Sequence, residues 1–214
     1  MPLPIMSESK LLRTQVYEYL RDQLQLGGLR PGDSINVKRL IEELGVSRTP
    51  LREALLLLQA NGFVTILPQR GIIINDLTSQ EVQYIYEILG GLESGLIISV
   101  FEKIGKEEIE RMKSINEEML LALSSDKFDY YERNLSFHNV FIGLSENQQL
   151  VNLIETLKQR LYDFPRKEYG DQWKKINYEE HLKFVGFLEN NQAKGAAEYL
   201  RDVHWHFKYP ECFK

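Results

Sequence analysis

The sequence predicts a mostly α-helical protein in two parts, a small N-terminal unit of helices and two strands over residues 1–76 and an antiparallel all-helical bundle over residues 77–214. Two observations predict this fold class. In the first part, short segments with helical spacing are followed by two β-branched runs that flank a four-residue turn. In the second part, apolar residues recur at intervals of three and four, which is typical of helices that pack against one another. A length of 214 residues is enough for two compact domains.

Composition excludes several classes of protein. Hydrophobic residues make up 43% and charged residues 27%, which indicates a folded chain rather than a disordered one. The single cysteine, Cys212, cannot form an internal disulfide, and the chain does not begin like a signal peptide, so we expect a reducing cytoplasm. The longest apolar stretch, Leu89 to Phe101, has 13 residues and contains Glu93. It is shorter than the roughly 18 to 20 residues that span a bilayer, so no membrane contact is predicted.

The net charge of −5 is unevenly distributed along the chain. Residues 1–76 carry nine Lys and Arg against eight Asp and Glu, whereas residues 77–214 carry 17 against 23. A local basic face can neutralise phosphates even when the whole chain is acidic. The overall charge therefore does not exclude nucleic acid as a partner of the first part.

One segment of the first part predicts its function. Leu40 and Leu44 form the apolar face of a short helix, and Gly45 permits the left-handed backbone that redirects the chain. Ser47 is placed to cap a second helix, whose first turn tolerates Pro50 because the missing N–H has no partner there. A supporting helix, a glycine turn and a second helix with an exposed first turn form a helix-turn-helix, which reads the major groove of DNA.

A hairpin and a series of helices are predicted beyond this segment. The runs Val64 to Leu67 and Ile72 to Ile74 flank the turn Pro68-Gln69-Arg70-Gly71. Thr78 and Glu81 form a capping box, and Asp126 and Asn147 are predicted caps. Helix breaks are expected near Gly105, around Ser124-Ser125, at Asn147, across Pro165 to Lys175 and at Asn190-Asn191, giving about six helices in the second part.

The order of the N-terminal pieces resembles the winged helix-turn-helix of the GntR family of bacterial transcription regulators. The matching residues are Pro31-Gly32 before the first supporting helix, Gly45 to Leu55 (Gly-Val-Ser-Arg-Thr-Pro-Leu-Arg-Glu-Ala-Leu), Gly62-Phe63 at the step into the wing, and Arg70-Gly71 at the end of the hairpin turn. About 65 residues are covered. The resemblance implies a dimeric regulator, most often a repressor and not an enzyme, whose partner is double-stranded operator DNA.

The resemblance also implies which residues contact DNA. They are Lys38, Ser47, Arg48, Thr49 and Arg52 in the helices, and Gln69, Arg70 and Gly71 in the wing. Arg48 and Arg52 can each offer a bidentate fork to guanine O6 and N7. Ser47 and Thr49, with the amides of the helix N-terminus, suit phosphate oxygens. Lys38 as a plain surface lysine and Gln69 as a turn residue are the alternatives.

Residues 77–214 resemble FCD, the effector domain of the FadR-like subgroup, a helical bundle with a cavity for a small organic acid, often beside a divalent metal. The family pattern is an acidic residue four positions before a histidine, a second histidine about 43 residues later and a third about 22 after that. Asn134 and His138 supply the first block, and His181 lies 43 residues beyond His138. The implied ligands are Asn134, His138, His181 and His204. The imidazoles of the three histidines suit Zn or Ni.

Three departures from the family pattern affect this site. Asn134 stands where a carboxylate is expected, and a neutral amide oxygen binds a divalent cation more weakly. Counting without gaps reaches Val203, which is one residue before His204 and three before His206. A slip of one residue rotates a helical side chain by about 100°, so either histidine completes the site only if the last helix is shifted or rotated. Leu89 occupies the place of a family arginine that suits carboxylate recognition.

Two other functions stay open from the residues alone. A metal-dependent hydrolase would use His138 and His181 as ligands and Glu180 as base, but neighbouring helix positions diverge by about 100°, and no nucleophile motif or glycine-rich phosphate loop is present. A helical interaction module that has lost effector binding would explain the missing family residues. The main prediction is a homodimeric repressor that binds an inverted-repeat operator and responds to a small organic acid.

Overall fold

The structure is a computed structural model that describes residues 12–122, 127–163 and 171–208, with the backbone alone at 127–129, 163 and 171–172. Within these ranges the chain forms nine α-helices and one two-stranded sheet, which confirms the mostly α-helical class. It divides into two compact units. The first extends to Leu77 and includes a short segment that begins at Gln159, and the second contains the remaining described residues.

The first unit is built on three helices: α1 (Leu12–Gln25), α2 (Val37–Leu44) and α3 (Arg48–Ala60). Helix α1 packs against α3, and residues Val16, Leu20 and Leu24, spaced by four, are fully buried on one face of α1. Leu51 and Leu58 are buried on α3. This burial leaves the N-terminal turn of α3 on the surface.

The turn between α2 and α3 forms as predicted. Gly45 has φ 64°, and its N–H donates to the carbonyl of Ile41, which ends α2. Ser47 occupies the N-cap position of α3 with an extended backbone, but its side chain makes no capping hydrogen bond. The prediction that Ser47 caps the helix is therefore correct for the backbone and wrong for the hydroxyl.

The wing is a hairpin of β1 (Val64–Leu67) and β2 (Gly71–Ile74), one residue longer in β2 than predicted. The strands are antiparallel, with Val64 opposite Ile74 and Leu67 opposite Gly71. Gln69 (φ 59°) and Gly71 (φ 108°) take left-handed backbone conformations in the turn. The turn therefore projects Gln69 and its neighbour Arg70 from the end of the hairpin, where both are exposed.

The second unit contains six α-helices among the described residues, in agreement with the prediction. They are α4 (Ser79–Val100), α5 (Lys106–Leu121), α6 (Lys127–Ile142), α7 (Gln148–Asp163), α8 (Asp171–Glu189) and α9 (Ala193–Tyr199). The last residues of α7, from Gln159, fall in the segment that groups with the first unit. A 3-10 turn, Phe101–Lys103, follows α4, and a π-helical turn, Leu200–His204, follows α9. Helix α5 packs against α6 and α8, and α4 packs against α9 and the π-helical turn.

Most helix boundaries follow the predicted signals. Thr78 and Glu81 form the capping box that begins α4, and Asn147 accepts a hydrogen bond from the third amide beyond it. Helix α8 begins at Asp171, so the break predicted across Pro165 to Lys175 extends too far into the helix. The predicted cap Asp126 and the break at Ser124-Ser125 lie outside the described residues.

Helix α4 with its 3-10 turn, Ser79–Lys103, is long and apolar enough to cross a membrane by length and composition, with a mean hydropathy of 1.3. The 13-residue apolar stretch alone did not predict this. Half of the most apolar window is buried inside the protein, and the buried residues of the helix include Glu93. A core helix of a helical bundle meets the same criteria, so the helix is weak evidence for a membrane span.

Candidate functional site

All eight residues predicted to contact DNA are exposed on the first unit. Lys38 and Arg48 line one shallow groove, together with Val37, Ile41 and Glu42. Ser47, Arg48, Thr49 and Arg52 lie at or near the N-terminal turn of α3, where the free backbone amides also face outward. This surface combines cations, hydroxyls and amide donors, which are the groups that bind phosphate and base edges.

The basic side chains that were predicted to contact DNA form no ion pairs with acidic side chains among the described residues. Among the described residues, no ion pair involves Lys38, Arg48, Arg52 or Arg70. Arg39 differs, because its Nε lies 2.6 Å from Glu43 Oε1 one turn along α2. The four unpaired cations keep their charge available for a polyanion.

Three histidines from three different elements meet in the core of the second unit. His138 comes from α6, His181 from α8 and His204 from the end of the π-helical turn, and all three are buried. One ring nitrogen from each lies within 4.8 Å of the others. The structure thus brings together three of the four predicted ligands.

The π-helical turn explains how His204 reaches this cluster. The N–H of Trp205 donates to the carbonyl of Leu200 at 2.9 Å, a bond to the fifth residue back. A π turn holds one residue more than an α turn, and this offsets the one-residue slip that counting along the sequence had shown. Val203 at the gapless position is partly exposed, and His206 is exposed and lies outside the cluster.

Each histidine has its Nδ1 beside an oxygen acceptor from another helix. The pairs are His138 with Glu93 Oε2 at 2.8 Å, His181 with Asn116 Oδ1 at 3.0 Å and His204 with Glu180 Oε2 at 3.2 Å. Asn116 is oriented by its own Nδ2, which donates to the carbonyl of Tyr178. Because all three partners are oxygen acceptors, we assign the neutral-ring proton to Nδ1, which leaves Nε2 as a lone pair.

The Nε2 atoms, unlike the Nδ1 atoms, do not face an oxygen acceptor or another clear hydrogen-bond partner among the described residues. Nε2 of His138 lies 3.1 Å from Nε2 of His204, and Nε2 of His181 is buried without a hydrogen-bond partner among the described residues. Two lone pairs at this distance repel unless a cation lies between them. Two nitrogens bound to one zinc at about 2.0–2.1 Å are separated by about 3.0–3.4 Å, so the pair His138 and His204 fits a zinc ion. His181 offers a third ring nitrogen within 4.8 Å of the other two.

Burial keeps the rings of His138 and His181 neutral. Desolvation lowers the pKa of His138 to about 3, although Glu93 opposes the shift. Burial also holds the pKa of His181 well below its usual value, with further contributions from His204 and His138. The neutral imidazole is the form that binds a metal.

Glu93 connects the cluster to the rest of the core. Besides His138, it contacts Lys158, whose Nζ lies 2.6 Å from Oε1, and Trp205, whose Nε1 donates to Oε2 at 2.9 Å. Burial opposes ionisation of Glu93, but His138 and Lys158 outweigh it and hold its pKa below the usual value. Glu93 is therefore a buried carboxylate that orients one histidine and compensates one buried lysine.

Asn134, the fourth predicted ligand, is buried one turn before His138 on α6. Its Oδ1 accepts a hydrogen bond from Asn177 Nδ2 at 2.9 Å. The amide oxygen is thus already engaged, and it carries no charge. Leu89, at the place of the family arginine, is fully buried one turn before Glu93, so the nearby buried cation is Lys158 instead.

Glu180 does not occupy the position of a catalytic base. Its Oε2 accepts from His204 Nδ1, and its Oε1 lies 2.5 Å from Lys208 Nζ. Burial raises the pKa of Glu180, but the contacts with His204 and Lys208 lower it below the usual value overall. The carboxylate therefore orients a histidine.

Four residues around the cluster were missed by the sequence prediction: Glu93, Asn116, Lys158 and Trp205. Two of them carried a usable signal. Glu93 is the only charged residue within the apolar stretch Leu89 to Phe101, and Lys158 lies on the apolar face of α7 between Ile154 and Leu161. Asn116 and Trp205 carried no comparable signal.

A winged helix-turn-helix in one unit and a helical bundle with a buried histidine cluster in the other are typical of DNA-binding transcription regulators. The sequence matches the model of "Bacterial regulatory proteins, gntR family" over residues 12–74 and that of the FCD domain over residues 84–204. The chain therefore belongs to the GntR family and carries an FCD domain. Members of this family are transcription regulators and not enzymes, which confirms the predicted class and removes the hydrolase alternative.

Similar proteins agree with this assignment. The uncharacterized regulator YdhC of Bacillus subtilis is 27% identical over 189 residues, covering 87% of this chain and 84% of YdhC. YcbG of the same organism is 30% identical over 211 residues, covering 82% and 89%. The solved structure of Escherichia coli McbR/YncC superposes with a TM-score of 0.73 at 22% identity, covering 91% and 94%, and shows the same fold.

Proposed function

We propose that the protein is a cytoplasmic, homodimeric transcription repressor that binds a short inverted-repeat operator and responds to a small organic acid bound beside a divalent metal. The observation that supports this proposal most is the convergence of three buried imidazole rings, each oriented through its Nδ1. A dimer bound across an operator occludes the DNA, which is why repression is the expected effect. The acid then changes the affinity for DNA.

In this proposal the exposed residues of the first unit divide the work of binding. Arg48 and Arg52 read guanine in the major groove, because a guanidinium matches O6 and N7. Phosphate contacts come from Lys38, Ser47, Thr49, Gln69, Arg70 and the backbone of Gly71. A homodimer presents these groups twice, so the operator is a pair of half-sites related by two-fold symmetry.

His138, His181 and His204 would hold the metal, and three imidazoles suit Zn or Ni. Asn134 could contribute only a neutral amide oxygen, and this oxygen already accepts a hydrogen bond from Asn177. When bound, the ion supplies a positive charge that a carboxylate can ligate. Three neutral ligands would leave that charge uncompensated by the ligands themselves, whereas the buried Lys158 is already paired with Glu93. The uncompensated charge of the ion favours an anionic effector.

Titration calorimetry with zinc on the full-length protein tests the site. We expect one ion per chain and little proton release at neutral pH, because burial already keeps His138 and His181 neutral. His181→Ala should weaken binding by roughly 100-fold or more, because even outer partners of a metal site contribute 10–100-fold. The matched control is His206→Ala at an exposed histidine outside the cluster, which should bind like the parent. If His181→Ala also binds like the parent, the cluster is structural and the module without effector binding is preferred.

Two further variants test the ligand set. Asn134→Asp adds a charged oxygen one turn from His138 and should tighten zinc binding. Val203→His should add nothing, because the π-helical turn already assigns the position to His204. The opposite pattern would mean that Asn177 holds the residue at 134 away and that the last helix has an ordinary α-helical register. Operator binding in the presence of a panel of mono-, di- and tricarboxylates, with and without zinc, then identifies the effector class.

A further inference from the structure

One face of α4 is left exposed within the part of the chain that the structure describes. We call it the α4 face, and it consists of Tyr84, Glu87, Ile88, Gly91, Gly95, Ile98 and Ser99 on α4 with Glu102 in the 3-10 turn that follows. Its large apolar side chains are well exposed, at 54% for Tyr84, 47% for Ile88 and 49% for Ile98. Together these three expose on the order of 300 Å² of mostly apolar surface, the size at which a patch on a monomer is often functional.

The centre of the α4 face is uncharged and shaped to receive another helix. A Cβ added to Gly91 or Gly95 would meet no atom within 4 Å, so the space above both glycines is open. Ile88 and Ile98 project on either side of this shallow recess. The spacing of these four residues alternates between three and four, which is the spacing of a helix–helix seam. Glycines in such a seam let two backbones approach closely.

The α4 face is also symmetric in residue type about the level of Glu93. The positions along any straight stripe on a helix are symmetric about its middle, but the residue types at those positions need not be. Here isoleucine mirrors isoleucine (88 and 98) and glycine mirrors glycine (91 and 95). At the ends, Tyr84 mirrors Glu102 and Glu87 mirrors Ser99, so a hydroxyl is matched with a carboxylate in both pairs. A two-fold axis at this level would place each residue opposite its mirror partner on an antiparallel second copy. The Tyr84 hydroxyl can then donate to Glu102, whereas the Ser99 hydroxyl already donates to the carbonyl of Leu96.

We propose that two copies of this chain pair through the α4 face, with the two helices antiparallel and crossing at Gly91 and Gly95. A two-fold interface needs one patch that supplies both the projections and the recess, and the α4 face supplies both. Its apolar centre and polar ends match the core and rim of protein interfaces. This proposal rests on the dimer of the proposed function and adds its surface and direction.

Sedimentation equilibrium of the full chain tests the surface and the direction with three variants. Ile88→Glu and Ile98→Lys each place two unpaired charges in the seam and should raise the dimer dissociation constant by about 100-fold or more. The double variant Ile88→Glu/Ile98→Lys places each carboxylate opposite a lysine of the other copy, and should recover to within about tenfold of the parent at low salt. Leu182→Glu, at a 43% exposed leucine on α8, is the matched control and should remain dimeric.

Circular dichroism melts of each variant establish that the chain is folded, and the double variant keeps the test decisive if one single variant unfolds. Single variants that remain dimeric would overturn the α4 face while the dimeric regulator stands. A double variant that dissociates more than the single variants would indicate parallel pairing and overturn the antiparallel arrangement. A parent chain that is monomeric at all concentrations would instead overturn the dimer of the proposed function.

Discussion

The two units handle their charged residues in opposite ways. In the first unit, Arg48 and Arg52 are exposed and form no ion pair among the described residues. In the second, Glu93 and Lys158 are buried and 2.6 Å apart. A polyanion such as DNA is bound by solvent-exposed cations, because the release of counterions from the DNA drives the association. A small ion or acid offers little surface for contact. It is therefore bound in a buried site, where neighbouring side chains already hold the binding groups in place.

Removing Glu93 should have the largest effect of the changes considered. Glu93→Leu leaves Lys158 as a buried cation without its partner, and breaking a buried pair in this way costs about 3–5 kcal/mol of unfolding free energy. Urea unfolding followed by circular dichroism measures it. Glu93→Leu combined with Lys158→Met should recover the part of the loss that is caused by the unpaired lysine. The remainder persists because His138 Nδ1 and Trp205 Nε1 still lack their acceptor. Glu117→Leu, at an exposed glutamate on α5, should change stability by at most about 0.5 kcal/mol. A cost below about 1 kcal/mol for Glu93→Leu would show that the second unit tolerates an unpaired buried charge.

On the exposed side of the comparison, Arg52→Ala should weaken operator binding by about 1–3 kcal/mol per half-site and relax the base preference, since the guanidinium reads a base edge. Fluorescence anisotropy on the operator and on a scrambled duplex separates the two effects. Arg39→Ala, at an arginine already paired with Glu43, is the control and should change little. An equal loss on both duplexes would assign Arg52 to phosphate rather than to bases.

Acidification should destabilise the second unit more than the first. The folded pKa of His138 is about 3 and its usual value is 6.5, so between these values only the unfolded chain binds the proton. The free energy of unfolding therefore falls as pH drops below about 6.5, by up to about 1.4 kcal/mol per pH unit for one such histidine. The lowered pKa of His181 acts in the same direction. Urea titrations from pH 7 to 5 measure the slope, and His138→Gln should reduce it, whereas His206→Gln should leave it unchanged. A flat profile in the parent would contradict the buried neutral rings.

The smallest expected effect concerns the exposed cations of the wing and of α2. Lys38→Gln or Arg70→Gln should flatten the slope of log K against log salt by about one unit per phosphate contact, or two for a dimer. Lys113→Gln, at a lysine that pairs with Glu110 and Glu189 in the second unit, should leave the slope unchanged. Unchanged slopes for both Lys38 and Arg70 would remove them from the interface.

The DNA-binding unit could be predicted from the sequence almost completely because its determinants are local. Gly45, the exposed turn of α3 and the wing turn at Gln69 all lie within about 25 residues of one another, and each depends on backbone rules that a short segment obeys by itself. Only the role of the Ser47 hydroxyl and the first residue of β2 differed. Whether these residues contact DNA as assigned stays a prediction.

The histidine cluster could be predicted only in part because its geometry is set over long sequence separations. The helical period placed His138 on an inward face, but Glu93 and Asn116, which orient His138 and His181, lie 45 and 65 residues away from them. No local pattern specifies which acceptor a buried ring will meet. The position of His204 depended on a π turn, whose extra residue becomes visible only when the backbone is followed through the turn.

That π turn has a consequence for how such sites persist when chain length changes. One surplus residue has been absorbed within Leu200–His204 while the imidazole still faces the other two, so the site depends on direction rather than on a fixed count of residues. Deleting Val203 would shorten the turn to an ordinary α-helical one and move the same histidine to the gapless position. The cluster can thus form with or without the extra residue at this point. A search that requires a fixed number of residues between the histidines would overlook relatives that have kept the cluster.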